Sequence, residues 1–219
     1  RTKSAILGLV ILIILTVVAI FAPVIAPYPP SQVLIGKEDV KKRMPPCIHI
    51  LGCPADQPQH IMGTDGNVRD FFSRVVFGAR VSLMVGFTTV GFAILIGASL
   101  GGLAGFVGGW LDNIIMRFMD VLLAFPALLL AIAIVTVLGE GLVNALLAIG
   151  IVSIPAYARV ARASVLTVKE WDFVMADRAT GVPSGRILTR SILPHTLTPL
   201  IVQGTLGIAL SGALVNQKV

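Results

Sequence analysis

At 219 residues, 56% hydrophobic and only 13% charged, with a mean hydropathy of +0.92, the chain is far more apolar than a soluble domain, about 25% of which is charged. The composition excludes an ordinary soluble protein and indicates an integral membrane protein, all-α and polytopic. The net charge of +6 does not point to nucleic acid: no DNA- or RNA-binding motif is present, and the lysines and arginines fall between apolar runs, where topology and contact with anionic membrane lipid account for them.

A helix needs about 20 apolar residues to cross a hydrocarbon core about 30 Å thick. By that length five spans are expected, over residues 5–26, 81–107, 114–138, 142–158 and 197–215. The first follows Arg1 and Lys3 and resembles a signal peptide in outline. It is long, however, and the candidate cleavage point after Ala26 is followed by Pro27, so an uncleaved N-terminal anchor over residues 1–26 is expected. The chain begins with Arg rather than Met and ends, at residues 216–219, soon after an apolar run, so both ends read as cut.

Residues 27–80 form a long loop. Pro23, Pro27, Pro29 and Pro30 argue against helix until about Asn67. Cys47 and Cys53 favour a small disulfide loop if they face an oxidising compartment; unpaired thiols and metal binding with His49 or His60 are the alternatives, although the spacing matches no common zinc signature. From 68 to 79 the spacing of Val68, Phe71, Phe72, Val75 and Val76 fits either an amphipathic surface helix or the first turns of the second span.

The core, residues 81–215, carries four spans. The second presents Gly97, Gly101, Gly105 and Gly109 at intervals of four, a face that lets helix backbones approach closely, within its own bundle or against another chain. Asp112, Arg117 and Asp120 sit near the start of the third; Arg117 and Asp120 are three apart and can pair on one helix face, and a structural or gating cluster at the inner mouth is favoured over a substrate ligand. Pro126 is placed to bend the same helix. Asn144 reads as a helix cap or interhelical contact.

The loop 159–195 holds Arg159, Arg162, Lys169, Arg178, Arg186 and Arg190, whereas the Gly139-Glu140-Gly141 turn has no basic residue. The positive-inside rule therefore puts residues 159–195 and the N-terminus in the cytoplasm and residues 27–80 outside. From 163 to 180 no Pro or Gly interrupts, so helix is expected until Gly181 caps it. Pro183 suits the start of a short second helix and Pro194 is expected to stop it. Ala176 and Ala179 leave a small-residue surface, and Ile187, Leu188 and Ile192 form an apolar stripe, as a docking hairpin would; a hairpin without a partner fits the spacing as well.

There is no Gly-x4-Gly-Lys-Ser/Thr loop for ATP, since Gly36-Lys37 is followed by Glu38, and no zinc-protease motif. No metal site is expected, and His49, His60 and His195 read as surface residues.

Several motifs in register resemble the permeases of dipeptide/oligopeptide/nickel ATP-binding-cassette (ABC) importers. They are Gly63-Thr64-Asp65 with Arg69-Asp70 and Ser73-Arg74, Phe77-Gly78-Ala79-Arg80, Gly108-Gly109-Trp110-Leu111-Asp112, Met116-Arg117-Phe118-Met119-Asp120 and Leu123-Ala124-Phe125-Pro126. Pro155 with Arg159 and Arg162, and Arg190-Ser191-Ile192-Leu193-Pro194, complete the set over residues 60–212. The segment Val174 to Gly181, with Pro194 thirteen residues beyond, is similar to the "EAA" coupling loop of that family. Met175 stands where the family's acidic residue is usual, Asp177 replaces its second alanine, Ser191 its histidine and His195 its asparagine.

The resemblance implies a type I importer (MetI-like) permease fold with five of the usual six spans, the "C"-type membrane subunit, in a bacterial or archaeal cytoplasmic membrane. It implies a second, homologous permease, two ABC ATPase subunits and an extracytoplasmic solute-binding protein as partners. ATP and Mg would be held by the ATPases, with no cofactor bound by this chain. Ala176, Asp177, Arg178, Ala179, Gly181, Ile187, Leu188, Ile192, Leu193 and Pro194 would form the coupling loop. A secondary transporter or channel, which would be expected to carry mid-membrane carboxylates, and a non-transport anchor are the alternatives.

Overall fold

In lipid every backbone N–H must be satisfied within its own segment, so apolar runs of this length become helices. The computed structural model describes residues 3–36, 40–49, 52–54 and 57–216. Its elements are α1 (Lys3–Ile20), α2 (Ala22–Ile25), α3 (Phe71–Val107), α4 (Gly109–Ala124), α5 (Ala127–Leu138), α6 (Leu142–Val168), α7 (Asp172–Ala179), α8 (Ser184–Arg186), a π-helical turn (Ile187–Ile192) and α9 (Leu193–Asn216). Isolated bridges are the only β pairing among the described residues.

Among the described residues α3 and α6 are each long and apolar enough to cross a membrane unbroken. The expected single helix over 114–138 is instead a bent pair: α4 and α5 meet at 94°. Pro126 has no N–H to continue the ladder, and its ring pushes Phe125 to an extended ψ of 140°, so α4 ends there. The segment at 68–79 is not a separate surface helix, for α3 runs without a break from Phe71 through 37 residues.

The residues up to Met84 form one compact unit and those from Val85 a second. The first unit includes α1, α2, the long loop and the opening turns of α3. Leu34 and Val68 are buried and joined by a Leu34 N–H to Val68 carbonyl bond of 2.9 Å. Asp70 caps α3 by accepting the Ser73 N–H at 2.7 Å, and its other oxygen contacts His60 Nδ1 at 2.9 Å. His60 is 1% exposed, which corrects the surface reading of this histidine; antiparallel backbone bonds with Cys47 and a tilted ring contact with Tyr28 hold it inside. Sequence offers no sign of this, because the imidazole is covered by residues up to 32 positions away.

Asp65 is the hub of the same unit. It accepts from the backbone of Asn67 and Arg69, from Arg69 Nε at 2.9 Å and from Arg74 Nη1 at 2.5 Å. Burial raises the pKa of its carboxyl, but the bonds from Arg69, Asn67 and Arg74 outweigh burial and leave it below the usual carboxylate value.

The second unit packs α3, α4, α6 and α9 around Val90, Ala93, Met119, Ile154, Tyr157, Ala158, Ala161 and Leu200. Here α3 and α6 come very close. A Cβ on Gly97 would lie 2.8 Å from the Ile154 carbonyl oxygen, one on Gly105 2.9 Å from that of Arg162, and one on Gly101 would run into the Ala158 backbone. Three of the four stripe glycines thus pack inside the chain's own bundle. Gly109 is different: its φ of +59° forms the α3–α4 turn together with Gly108, and nothing lies within 4 Å of its Cβ position.

Candidate functional site

The hairpin grows out of the end of α6. Sequence alone suggests one helix from 163 to 180, yet α6 ends at Val168 and α7 begins at Asp172, with Trp171 extended between them. The reason is tertiary. Turning the chain at 169–171 buries Val174 against Val165, Val168, Ile187 and Ile192, and no continuous helix can fold Val174 back onto Val165. Lys169 Nζ reaches the Gly105 carbonyl at 3.4 Å at the same corner.

Gly181 follows α7 with φ +80°. Its N–H donates to the Arg178 carbonyl at 3.1 Å, and the Val182 N–H to that of Asp177 at 3.0 Å, the two bonds of a Schellman cap. Val182 packs against the same apolar cluster, which fixes the direction in which the chain returns.

Pro194 does not stop the returning helix. α8 passes into the π-helical turn and directly into α9, where Pro194 is the second residue. A π-turn bonds five residues apart rather than four, so the carbonyl that a proline ring would otherwise meet is moved aside and the missing donor is absorbed.

Of the expected coupling residues, Ile187 and Ile192 face inward at 2% and 0% exposure, and Leu188 packs against them. They form the hairpin's core rather than its outer stripe. Ala176, Arg178, Ala179, Gly181, Leu193 and Pro194 are exposed, and Met175 stands out beside them. Asp177 is half-buried and accepts from the Ser191 hydroxyl at 2.6 Å, so two of the positions that depart from the EAA pattern touch each other. The result is a braced hairpin whose outer surface sets the small Ala176, Ala179 and Gly181 among the larger Met175, Arg178 and Leu193.

The charged cluster is built differently from its sequence expectation. Arg117 and Asp120 do not pair. Asp112 accepts from Arg162 Nε at 2.5 Å and Nη2 at 2.6 Å, and Asp120 accepts from Arg159 Nη2 at 2.6 Å, so both pairs run between α4 and α6. A planar guanidinium gripping both oxygens of Asp112 is a stronger tie than two side chains three apart on one helix. With Arg117 these residues line an open cleft of about 490 Å³. No local spacing pairs Arg159 and Arg162 with these carboxylates, since 39 and 50 residues separate them from Asp120 and Asp112.

Cys47 and Cys53 are joined as a disulfide. Asn144 donates to the Leu138 carbonyl at 2.9 Å and that of Gly139 at 3.1 Å, capping α5 from the start of α6. His195 is exposed and forms a ring trio with Trp171 and Phe173, a cluster that no sequence spacing revealed. Among the described residues no group of three metal-binding side chains occurs.

Comparison with known proteins agrees with this architecture. Residues 93–215 match the family described as binding-protein-dependent transport system inner membrane component, and residues 1–46 match the N-terminal TM domain of oligopeptide transport permease C. A dipeptide transport system permease protein of Alkalihalophilus pseudofirmus is 43% identical over 212 residues, covering 94% of this chain and 64% of the relative. One from Haemophilus influenzae is 39% identical over 209 residues, covering 95% and 68%. A glutathione transport system permease protein of Escherichia coli is 41% identical over 215 residues, covering 96% and 65%. The chain thus spans about two thirds of the length of these relatives.

Proposed function

Because this chain belongs to the family of binding-protein-dependent transport system inner membrane components, we propose that it is a permease subunit of an ABC importer and provides half of a path for short peptides across a bacterial inner membrane. The solute class rests on relatives named for dipeptides, di/tripeptides and glutathione.

The observation that carries the reading is the braced hairpin. A second chain can approach Ala176 and Ala179 closely, while the Gly181 cap, the Asp177–Ser191 bond and the buried Val174, Ile187 and Ile192 keep the hairpin from yielding when pushed. Such an element transmits a displacement instead of absorbing it. Its two ends are α6 and α9, so force on the hairpin reaches the core that these helices share with α3 and α4.

In this reading residues 159–195 lie on the cytoplasmic side and dock a partner ATPase. The ATPases hold ATP and Mg, and this chain contributes no hydrolytic group. Nucleotide-driven closure of the ATPases moves the hairpin and opens the path outward; hydrolysis resets it. A second permease completes the path and an extracytoplasmic binding protein delivers the solute. The two α4–α6 ion pairs brace the inner end of the bundle.

The test is co-purification of the chain, expressed with its companion subunits, as wild type and as Gly181→Asp and Ala179→Trp. The expected result is an ATPase captured by wild type and lost or strongly reduced in both variants, with peptide-stimulated ATP hydrolysis falling in parallel. Wild-type chain that captures no ATPase rules the reading out.

A further inference from the structure

We infer that the α4–α6 cleft is a binding site for one anionic phospholipid, with Arg117 holding the phosphodiester and the neighbouring face of α4 carrying an acyl chain. The inference depends on the chain lying in a membrane and not on which solute crosses it.

The cleft contains the guanidiniums of Arg117, Arg159 and Arg162 and the carboxylates of Asp112 and Asp120. Both carboxylates are already committed: Arg162 takes both oxygens of Asp112, and Arg159 takes Asp120. Arg117 is exposed and pairs with no carboxylate among the described residues. Among the charged groups that line the cleft, one positive charge is therefore left over, on a side chain with five donors in a planar fork, which suits two oxygens of a single tetrahedral anion. One phosphodiester, with one negative charge, balances it.

The surroundings distinguish a lipid from a soluble anion. Ile114, Phe118 and Val121 are 48%, 59% and 51% exposed, and their spacing of four and three puts them on one face of α4. Arg117 lies immediately beside that stripe, between it and the cleft. An anion without chains would satisfy the guanidinium and leave the stripe bare, whereas a phospholipid satisfies both. A basic pocket between membrane helices is a recognised way to hold an anionic headgroup, and the long arginine side chain can lift its charge to the headgroup layer while its stem stays on apolar surface.

The probe is dioleoylphosphatidylglycerol titrated into delipidated, detergent-solubilised chain, with retained lipid counted by native mass spectrometry. Dioleoylphosphatidylcholine and sn-glycerol 3-phosphate are run in parallel. Wild type is expected to retain one phosphatidylglycerol in preference to phosphatidylcholine and to bind the soluble phosphate far more weakly. Arg117→Gln should weaken phosphatidylglycerol retention about fivefold and leave phosphatidylcholine unchanged, while Arg117→Lys should keep most of the preference. Asp120→Asn, which frees Arg159, should strengthen retention. Thermal melts confirm that each variant is folded, and should Arg117→Gln not fold, Asp120→Asn decides alone. Retention insensitive to the charge changes, or equal for the two lipids, overturns the site. Glycerol phosphate binding as tightly as phosphatidylglycerol overturns the lipid and leaves a site for free anions.

Discussion

The Ser191 hydroxyl donates to the Asp177 carboxylate at 2.6 Å, tying the outgoing arm of the hairpin to the returning one across fourteen residues. Ser191→Ala removes a donor from a half-buried carboxylate, and Asp177→Ala removes the carboxylate itself. Each is expected to weaken the hairpin by about 1 kcal/mol, and the double variant should cost little more than either single one. Hydrogen exchange at the Gly181 and Val182 amides reads this directly as faster opening. Fully additive effects would show that the bond carries no energy.

Gly101 and Gly102 are neighbours on α3 with opposite tolerance. A Cβ at Gly101 collides with the Ala158 backbone, which cannot rotate away, so Gly101→Ala should push α3 from α6 and cost about 1–3 kcal/mol. Nothing lies within 4 Å of the Cβ position of Gly102, and Gly102→Ala should be neutral or stabilise by up to about 1 kcal/mol. Thermal melts of the two variants in one detergent give the comparison. Equal melting temperatures would falsify the close approach.

Asp65 predicts an acid limit for the first unit. Its folded pKa lies below the ordinary carboxylate value of 3.8, so the charged form is the one that folding favours. The stability it contributes is complete above that value and is lost as pH falls through the lower, folded value. Asp65→Asn should therefore destabilise residues 40–74 at neutral pH and flatten their dependence on pH in the acid range. Exchange rates of the Asn67 and Arg69 amides, measured from neutral pH downward in wild type and variant, check the sign.

The Cys47–Cys53 disulfide closes a short loop beside the backbone pair of Cys47 and His60. Chain-entropy reasoning for so short a loop gives about 2 kcal/mol. Reduction, or Cys53→Ser, should accelerate exchange at the Cys47 and His60 amides and leave the hairpin amides unaffected. An unchanged first unit after reduction would mean that the loop is held by its other bonds alone.

Much of this architecture can be read from local signals. Apolar runs mark the helices, Gly181 marks the hairpin's turn and Pro126 marks the bend, because in each case the controlling group lies within the segment it shapes. What sequence hides is decided at a distance. Nothing at 169–171 announces a break, since the cause is the cover that Ile187 and Ile192 give Val174. Arg117 and Asp120 have ideal spacing for a pair, yet arginines on α6 compete for the carboxylates and win. His60 looks like a surface histidine until Asp70 and Tyr28 close over it.

The π-helical turn ahead of Pro194 also bears on how this chain tolerates insertion and deletion. Losing one residue from an ordinary α-helix rotates everything beyond it by about 100° and draws it back by about 1.5 Å, which would turn the buried Thr196 and Leu200 of α9 out of the bundle. A turn that already holds one residue more than an α-turn can give that residue up and revert to α-helical bonding, with α9 still in phase. At 187–192 the loss of one residue would therefore keep the side chains of α9 in phase but bring the Pro194 ring against the carbonyl four residues before it, a clash of about 3 kcal/mol that holds the extra residue in place.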